Sequence, residues 1–411
     1  MAEPASNHDL PVERALARIL AGIEPVEGTE ALSLRAACGR ILAADLVSPR
    51  DVPSCDNAAM DGYAMRASDL DPGGPTELVV AGRALAGHPW MGNCPPGTAI
   101  RIMTGAPMPA GLDTVVPQES IEAHGGRIRV PPGQRPGQHR RVAGEDLAAG
   151  AVALPAGRRL RPADIGLAAS LGIDRLVVRR RLRVAFFSTG DELQPIGSPL
   201  GKGRIYDSNR YTIGALLDRM GVESRDLGVV PDEREALATA VREGAARADA
   251  ILSSGGVSVG EADHTREVLS RLGRVEFWTI AMRPGRPMAY GRIGTARYFG
   301  LPGNPVAAMI AFLFLARPAL LAMAGAAEAA PVPVPARATA PIRKRAGRTE
   351  YPRGVLAVAP DGALEVTPDP SQGSGVLSAM SRANCVIVLP HDRGPVAPGE
   401  RVDCLPIDGL V

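Results

Sequence analysis

The feature that most constrains this fold is an alternation of short apolar runs with amphipathic segments between residues 181 and 325. We predict strands over residues 182–188, 250–253 and 275–280, and helices over residues 211–220, 233–247, 263–272 and 306–323. Such alternation is typical of a parallel sheet covered by helices on both faces, so we predict a three-layer α/β domain. Ligands bind such sheets at the carboxyl ends of the strands.

The flanking segments predict further domains, so the fold class is α/β plus β. Residues 10–23 have helical apolar spacing, residues 32–153 are rich in Gly and Pro with short β-rich runs, and a Pro/Ala-rich linker precedes a tail of alternating apolar and polar residues. We predict an N-terminal helical and linking domain (1–30 and 145–180), a β-rich domain (31–144), the α/β domain (181–328) and a small C-terminal β-barrel (329–411).

Composition excludes several classes of function. A net charge of +2 provides no basic field for nucleic acid, so we expect none as a partner. The five cysteines form no C-x-x-C pair, which favours a reducing cytoplasm. The longest apolar run, residues 306–316, has the length of a core helix, and we expect no membrane span.

A Ser/Gly-rich loop follows the predicted strand at residues 250–253 and precedes a helix. Glycines let a backbone approach an oxyanion closely, serine hydroxyls donate to it, and a helix N-terminus adds its dipole. We therefore predict an anion site, and a glycine-rich turn without a ligand is the alternative. The candidate binding residues of this loop are Ser254, Gly255, Gly256, Ser258 and Gly260.

A second polar turn follows the strand at residues 182–188 and carries carboxylates. Its candidate residues are Ser188, Thr189, Gly190, Asp191 and Glu192. Carboxylates repel an anion unless a divalent cation bridges them, and Mg²⁺ is the usual bridge to phosphate oxygens. We predict a carboxylate cluster of Asp191 or Glu192 with Asp232 and Asp263, although each is by itself more often a helix cap.

Two further turns follow predicted strands. Arg283 and Arg286 flank a Pro-Gly turn, and arginines suit bidentate contact with oxyanions, although exposed arginines are more often merely solvated. An apolar helix follows Pro302, Gly303 and Asn304. These residues either bind a ligand or only begin the helix.

The N-terminal half carries weaker signals. Residues 56–64 contain Asp56 and Asp61, and residues 101–107 end in a turn that begins at Thr104. The six histidines show no i, i+4 grouping, so neither a histidine metal site nor a Ser-His-Asp triad is indicated.

Together these segments resemble the MoeA family, the molybdopterin molybdenumtransferases, which are related to the E domain of gephyrin. The likeness covers nearly the whole chain. The matching stretches are residues 56–64, 102–107, 111–116, 144–146, 188–193, 203–209, 254–263, 281–287, 301–305 and 372–380.

The resemblance implies an elongated homodimer whose active cleft is shared between the α/β domain and the partner's β-rich domain. Adenylylated molybdopterin and molybdate would be the substrates, molybdenum cofactor and AMP the products, and Mg²⁺ the cofactor. The family's functional positions fall on Asp61, Thr104, Glu192, Asp232, Asp263, Arg283, Arg353 and Ser374, with Glu192 and Asp263 near the metal. The chain departs from the family at Thr279, where lysine is common.

Two alternatives use the same motifs. A molybdopterin adenylyltransferase would need the Ser/Gly-rich loop but not the two β-rich domains. A gephyrin-like scaffold would bind partner peptides without catalysis, and retained activity discriminates against it.

Overall fold

The computed structural model describes residues 9–257, 263–327 and 330–410. Ser258 and Gly260, predicted from the Ser/Gly-rich loop, lie outside the described residues, as does the side chain of Asp263.

Short strands dominate the first part of the chain, as its Gly- and Pro-rich composition predicts. The elements are α1 (Val12–Leu20), β1 (Thr29–Ser33), α2 (Leu34–Ala37), β2 (Leu46–Val47), β3 (Asn57–Ala58), β4 (Gly62–Met65), β5 (Thr76–Ala84), β6 (Thr98–Ile102), β7 (Thr114–Pro117), β8 (Glu122–His124), β9 (Arg127–Val130), β10 (Arg140–Arg141), β11 (Val152–Leu154), α3 (Pro162–Ser170) and β12 (Arg175–Arg179). Six of these strands form one sheet in the order β7-β4-β6-β5-β9-β8, and β1 pairs with β12.

The predicted alternation of strands and helices is confirmed in the middle of the chain. The elements are β13 (Arg183–Thr189), β14 (Leu193–Gln194), β15 (Ile205–Tyr206), α4 (Asn209–Met220), β16 (Glu223–Val230), α5 (Arg234–Arg247), β17 (Ala250–Ser254), α6 (Asp263–Leu272), β18 (Arg274–Thr279), β19 (Met282–Arg283), β20 (Pro287–Ile293), β21 (Ala296–Leu301), α7 (Pro305–Ala311), a π-helical turn (Phe312–Ala316) and α8 (Arg317–Met323).

This central sheet has the order β16-β13-β17-β21-β20-β18. The first four strands are mutually parallel. At one side of the sheet β20 pairs antiparallel with β21, and β18 pairs antiparallel with β20. Strand β13 is buried along nearly its whole length because helices cover both faces of the sheet.

The protein has two separate hydrophobic cores here, one on each face of the central sheet. One core packs Val184 and Phe186 against α1, α4, α7 and α8, and the other packs Phe187 and Ile251 against α5 and α6. Neighbouring residues of β13 therefore contact opposite helical layers, as strand geometry requires. The predicted fold class is confirmed.

The helical segment Pro305–Met323 is the one helix among the described residues that is long and apolar enough to cross a membrane. Its 19 residues and mean hydropathy of 2.1 would suffice to cross a membrane, but 78% of its apolar window is buried inside the protein. Burial of this kind is the ordinary condition of a core helix, which the sequence predicts here. The π-helical turn ends two residues before Pro318, whose missing N–H interrupts regular α-helical bonding.

The last part of the chain closes into the predicted barrel. Its elements are β22 (Val334–Ala338), β23 (Thr349–Glu350), β24 (Arg353–Val358), β25 (Leu364–Pro368), α9 (Leu377–Arg382), β26 (Cys385–Val388) and β27 (Arg401–Pro406). The barrel order is β22-β25-β24-β26-β27, and β23 instead pairs in parallel with β19 of the central segment. This pairing places residues 349–350 of the barrel segment beside the turn that carries Arg283.

Candidate functional site

A cleft of ≈ 990 Å³ lies at the carboxyl ends of the parallel strands, where the sequence predicts a ligand. The loops after β13, β16, β17 and β21 bound it, together with the turn at residues 283–287 and the segment at residues 372–375. The predicted site residues that line it are Ser188, Thr189, Gly190, Glu192, Asp232, Ser254, Gly255, Gly256, Arg283, Arg286, Pro302, Gly303, Asn304 and Ser374.

Glycines let two backbone loops meet at the floor of the cleft. Gly255 has a φ of 95°, and a Cβ there would lie 2.2 Å from the carbonyl oxygen of Thr189. Gly256 has a φ of 68°. Because L-residues rarely adopt such angles, the sequence needs glycine here whether or not a ligand binds. The floor is polar backbone that a ligand can approach closely.

Ser254 and Asn209 join three of the loops. Asn209 donates from Nδ2 to Ser254 Oγ and to the carbonyl of Gly303, both at 2.7 Å, and Ser254 Oγ donates to the carbonyl of Pro302 at 3.2 Å. Asn304 occupies the helix N-cap with Pro305 after it, as predicted, but its side chain makes no capping hydrogen bond. Asn304 also lines the cleft.

Two carboxylates of the predicted cluster, Glu192 and Asp232, line the cleft, and Asp191 contacts Asp232. Thr189 Oγ1 donates to Asp232 Oδ1 at 2.5 Å, and the Asp232 amide donates to Asp191 Oδ1 at 3.2 Å. Glu192 lines the cleft beside them. Among the described residues, no three His, Cys, Asp or Glu side chains lie together as a metal cage, and the Asp263 side chain lies outside that description.

Oxygen ligands are what Mg²⁺ prefers, and it is usually bound by one or two carboxylates with substrate phosphates and water rather than by a full protein cage. Glu192 and Asp232 fit that pattern, since both line the cleft and each brings a carboxylate to it. Mg²⁺ can therefore bind here without a complete set of protein ligands.

Asp207 is a buried carboxylate of the cleft that the sequence analysis does not single out. It accepts hydrogen bonds from Ser188 Oγ at 3.0 Å, and from the amide and Nε of Arg210 at 3.2 and 3.1 Å. These bonds fix the end of β13 against the start of α4. A lone Asp before a helix gives no sequence signal stronger than that of a cap.

Arg283 and Arg286 lie on the turn as predicted, but each has an acidic partner. Arg286 forms a two-pronged ion pair with Asp9, with both N–O distances 2.9 Å, and the pair raises the pKa of Arg286. Arg283 lies 3.7 Å from Glu350. Thr279 does not line the cleft, and its carbonyl accepts the amide of Leu10.

Arg353 lies behind the cleft instead of in it. Its side chain is 1% exposed and donates to the carbonyls of Ser371 and Gly373 at 2.8 and 3.1 Å, and burial lowers its pKa. It therefore shapes the segment that presents Ser374, whose carbonyl accepts the amide of Val306.

Asp61 and Thr104 form a pair that does not line the cleft of the same chain. Asp61 Oδ1 accepts the Thr104 hydroxyl and the Thr104 amide, both at 2.7 Å, and these bonds lower the pKa of Asp61. Asp61 directly precedes β4 and Thr104 follows β6, and these two strands are neighbours in the six-stranded sheet.

The fold and the site define an α/β protein with a polar cleft at the carboxyl ends of its parallel strands, flanked by a β-rich segment and followed by a β-barrel. The chain matches, in order, the MoeA N-terminal region (domain I and II) over residues 10–172, a probable molybdopterin binding domain over residues 185–322, and the MoeA C-terminal region (domain IV) over residues 335–407. The chain belongs to the MoeA family of molybdopterin molybdenumtransferases, which confirms the resemblance read from its motifs.

Relatives match over nearly their full lengths. The chain is 41% identical over 404 residues to a molybdopterin molybdenumtransferase of Haemophilus influenzae, covering 98% of this chain and 100% of the relative. It is 36% identical over 406 residues to one from Nostoc sp., covering 96% and 93%. The crystal structure of a molybdopterin biosynthesis MoeA protein from Pyrococcus horikoshii superposes with a TM-score of 0.82 at 31% identity, covering 96% and 99%.

Proposed function

We propose that this protein inserts molybdate into adenylylated molybdopterin, releasing AMP and forming molybdenum cofactor. The observation that carries the proposal is the meeting of glycine loops, carboxylates and arginines in one cleft of a chain that matches its relatives from end to end. We place the reaction in the cytoplasm, without a membrane or nucleic acid as partner.

The reaction depends more on side chains that neutralise negative charge than on side chains that form covalent bonds with the substrate. Molybdate is a dianion, the pyrophosphate link of the substrate is anionic and the dithiolene is a thiolate pair. The amides and hydroxyls of the loops after β13 and β17 bind the phosphates, and Arg283 binds an oxyanion, in a site preorganised for negative charge. Cleavage of the pyrophosphate is then coupled to ligation of molybdenum by the dithiolene sulfurs.

Mg²⁺ would be held by Glu192, with Asp232 beside it and Asp263 at the start of α6. When bound, it supplies positive charge to the pyrophosphate oxygens. Thr189 fixes the orientation of Asp232, because its hydroxyl donates to Asp232 Oδ1 at 2.5 Å.

We propose that the active protein is a homodimer in which Asp61 and Thr104 of one subunit complete the cleft of the other. The support comes from their local structure. The two side chains are hydrogen-bonded to each other, Thr104 is exposed and Asp61 half-buried, and both lie outside the cleft of their own chain. A hydrogen-bonded carboxylate and hydroxyl on an exposed turn are available to a substrate bound across an interface.

A mixed-subunit experiment tests the shared cleft. Asp61→Ala and Glu192→Gln proteins should each be inactive, but a mixed dimer should contain one intact site, because each subunit supplies what the other lacks. Equal mixing after dissociation and reassociation should restore about a quarter of wild-type activity. Mixtures that stay as inactive as the parents would place Asp61 and Glu192 in the same subunit's site or outside the reaction.

AMP release from adenylylated molybdopterin by the purified protein tests the function itself. Release that depends on molybdate and Mg²⁺ is expected. Formation of adenylylated molybdopterin from ATP and molybdopterin would identify an adenylyltransferase instead. Binding of substrate with neither reaction would indicate a non-catalytic role.

A further inference from the structure

The paired strands β14 and β15 form a short ribbon at the edge of the cleft. The amide of Ile205 donates to the carbonyl of Glu192 at 2.9 Å, so the ribbon begins directly beside a predicted metal ligand. Leu193 and Ile205 are partners in the parallel register, and both line the cleft. Because partners across a ladder place their side chains on the same face, the two residues form one aliphatic surface, the Leu193–Ile205 pair.

The Leu193–Ile205 pair differs from the other apolar residues of the cleft in its exposure. Ile205 is 53% exposed and Leu193 is half-buried. Val257 and Met282 also line the cleft, but they are only 6% and 2% exposed and belong to the hydrophobic cores. Burial of apolar surface is favourable in proportion to the area covered, so Ile205 is where an apolar ligand group gains most.

Hydrogen bonds hold the opposite face of the ribbon in place. Gln194 and Tyr206 are the next pair in the register, so their side chains lie on that face. Tyr206 Oη donates to the carbonyl of Ser198 at 2.7 Å, and the amide of Gly201 donates to Gln194 Oε1 at 3.1 Å. The loop between the two strands is thereby tied to the ribbon. A surface that is already fixed loses little conformational entropy when it covers a ligand.

The loop that precedes the ribbon is polar. Residues 188–192 line the cleft with hydroxyls and a carboxylate, and Leu193 follows directly. A ligand whose phosphates are joined to a planar heteroaromatic ring needs both kinds of surface, because the flat faces of the ring form no ordinary hydrogen bonds. The Leu193–Ile205 pair provides the apolar surface next to the loop that suits the phosphates.

We propose that the Leu193–Ile205 pair binds the face of a planar heteroaromatic ring carried by the substrate. The substrate under the proposed function has two such rings, adenine and the pterin, and the identity of the ring rests on that function. The apolar surface itself rests only on the register, the exposure and the position of the two residues.

Ile205→Ala tests the proposal, with Ile196→Ala as the matched control. Ile196 is 54% exposed and lies on the loop between the same two strands, but it does not line the cleft. Calorimetry should compare AMP with ribose 5-phosphate, and a pterin phosphate with inorganic phosphate, because each pair differs by the ring. Ile205→Ala should weaken the binding of AMP or of the pterin phosphate about tenfold, since it removes most of the apolar area that the ring covers.

The ligands without a ring should bind to Ile205→Ala as they do to wild type, and Ile196→Ala should bind every ligand as wild type does. A weaker complex with AMP assigns the surface to adenine, and a weaker complex with the pterin phosphate assigns it to the pterin. Unchanged binding of both ring-bearing ligands overturns the proposal. An equal loss for ribose 5-phosphate also overturns it, because Ile205 would then act through the phosphate loops, and so does a wild type in which neither ring adds affinity.

Ile205→Met provides a rescue, because methionine keeps the apolar area while changing its shape. Its affinity for the ring-bearing ligand should stay within about twofold of wild type, as is usual for swaps that conserve apolar volume. A loss as large as that of Ile205→Ala would show that the site does not depend on apolar area and would contradict the proposal.

Contact with a second copy of the chain is the competing use of this exposed surface. Sedimentation equilibrium of wild type, Ile205→Ala and Ile196→Ala measures it. The molecular mass in solution should be the same for all three proteins. Dissociation of a dimer by Ile205→Ala, but not by Ile196→Ala, would assign the surface to the second copy and overturn the ligand site.

Steady-state kinetics distinguish a failure of this proposal from a failure of the proposed function. In an active protein, Ile205→Ala should raise the KM for adenylylated molybdopterin about tenfold and leave kcat within about twofold. If wild type releases no AMP yet Ile205→Ala loses affinity for a ring-bearing ligand, the ring site stands and the function fails. If wild type is active and Ile205→Ala keeps its KM and its binding, the function stands and the ring site fails.

Discussion

Replacement of Glu192 by glutamine should lower molybdate-dependent AMP release by about a hundredfold or more, while the protein stays folded. Glu192 lines the cleft beside the pair formed by Thr189 and Asp232. Glutamine keeps the shape of the side chain but removes the charge that a divalent cation needs next to the phosphates. The rate should be measured at saturating Mg²⁺ and again over a range of Mg²⁺ concentrations.

Glu233→Gln is the matched control for this prediction, because Glu233 is an exposed carboxylate next to Asp232 that does not line the cleft. Its activity should stay within about twofold of wild type, as for most exposed substitutions. Full activity in Glu192→Gln would remove Glu192 from the site and weaken the proposal of Mg²⁺ at this edge of the sheet.

Replacement of Gly255 by alanine should lower the free energy of unfolding by about 3 kcal/mol and abolish substrate binding. Gly255 has a φ of 95°, and the added Cβ would lie 2.2 Å from the carbonyl oxygen of Thr189. The neighbour is backbone, so it can move only by separating β13 from β17 at the floor of the cleft. Denaturant unfolding and calorimetric binding measure the two effects.

Gly303→Ala gives the comparison, since Gly303 lines the same cleft but a Cβ there would lie 3.7 Å from its nearest neighbour, Gly255 Cα. Its unfolding free energy should change by less than about 1 kcal/mol. Equal destabilisation by both substitutions would mean that the close contact at Gly255 relaxes without cost.

Much of the fold could be predicted because its signals are local. The alternation of apolar runs and amphipathic helices specifies a layered sheet, and the observed strand β17 (Ala250–Ser254) extends the predicted one by a single residue. The loops after β13, β17 and β21 fall at one edge of the sheet because they follow parallel strands. The sequence therefore also predicts which loops meet.

Other features of the site depend on contacts between distant parts of the chain. Asp9 lies 277 residues from Arg286, and Glu350 joins Arg283 only because β23 pairs with β19. No local pattern marks such a carboxylate, since an isolated Asp or Glu is most often solvated or a helix cap. Arg353 shows the reverse case: the resemblance implies a functional position there, and the structure adds that the side chain is buried and supports the segment at Ser371 and Gly373.

The sequence by itself determined the layered fold, the barrel and the loops that carry the cleft, because strand and helix periods and glycine turns act over a few residues. Only the tertiary structure decided which charges face the cleft and which are held behind it. Ion pairs such as Arg283 with Glu350 and Arg286 with Asp9 form between segments that the folded sheet and barrel bring together, and their burial sets whether a charge is free to bind a ligand.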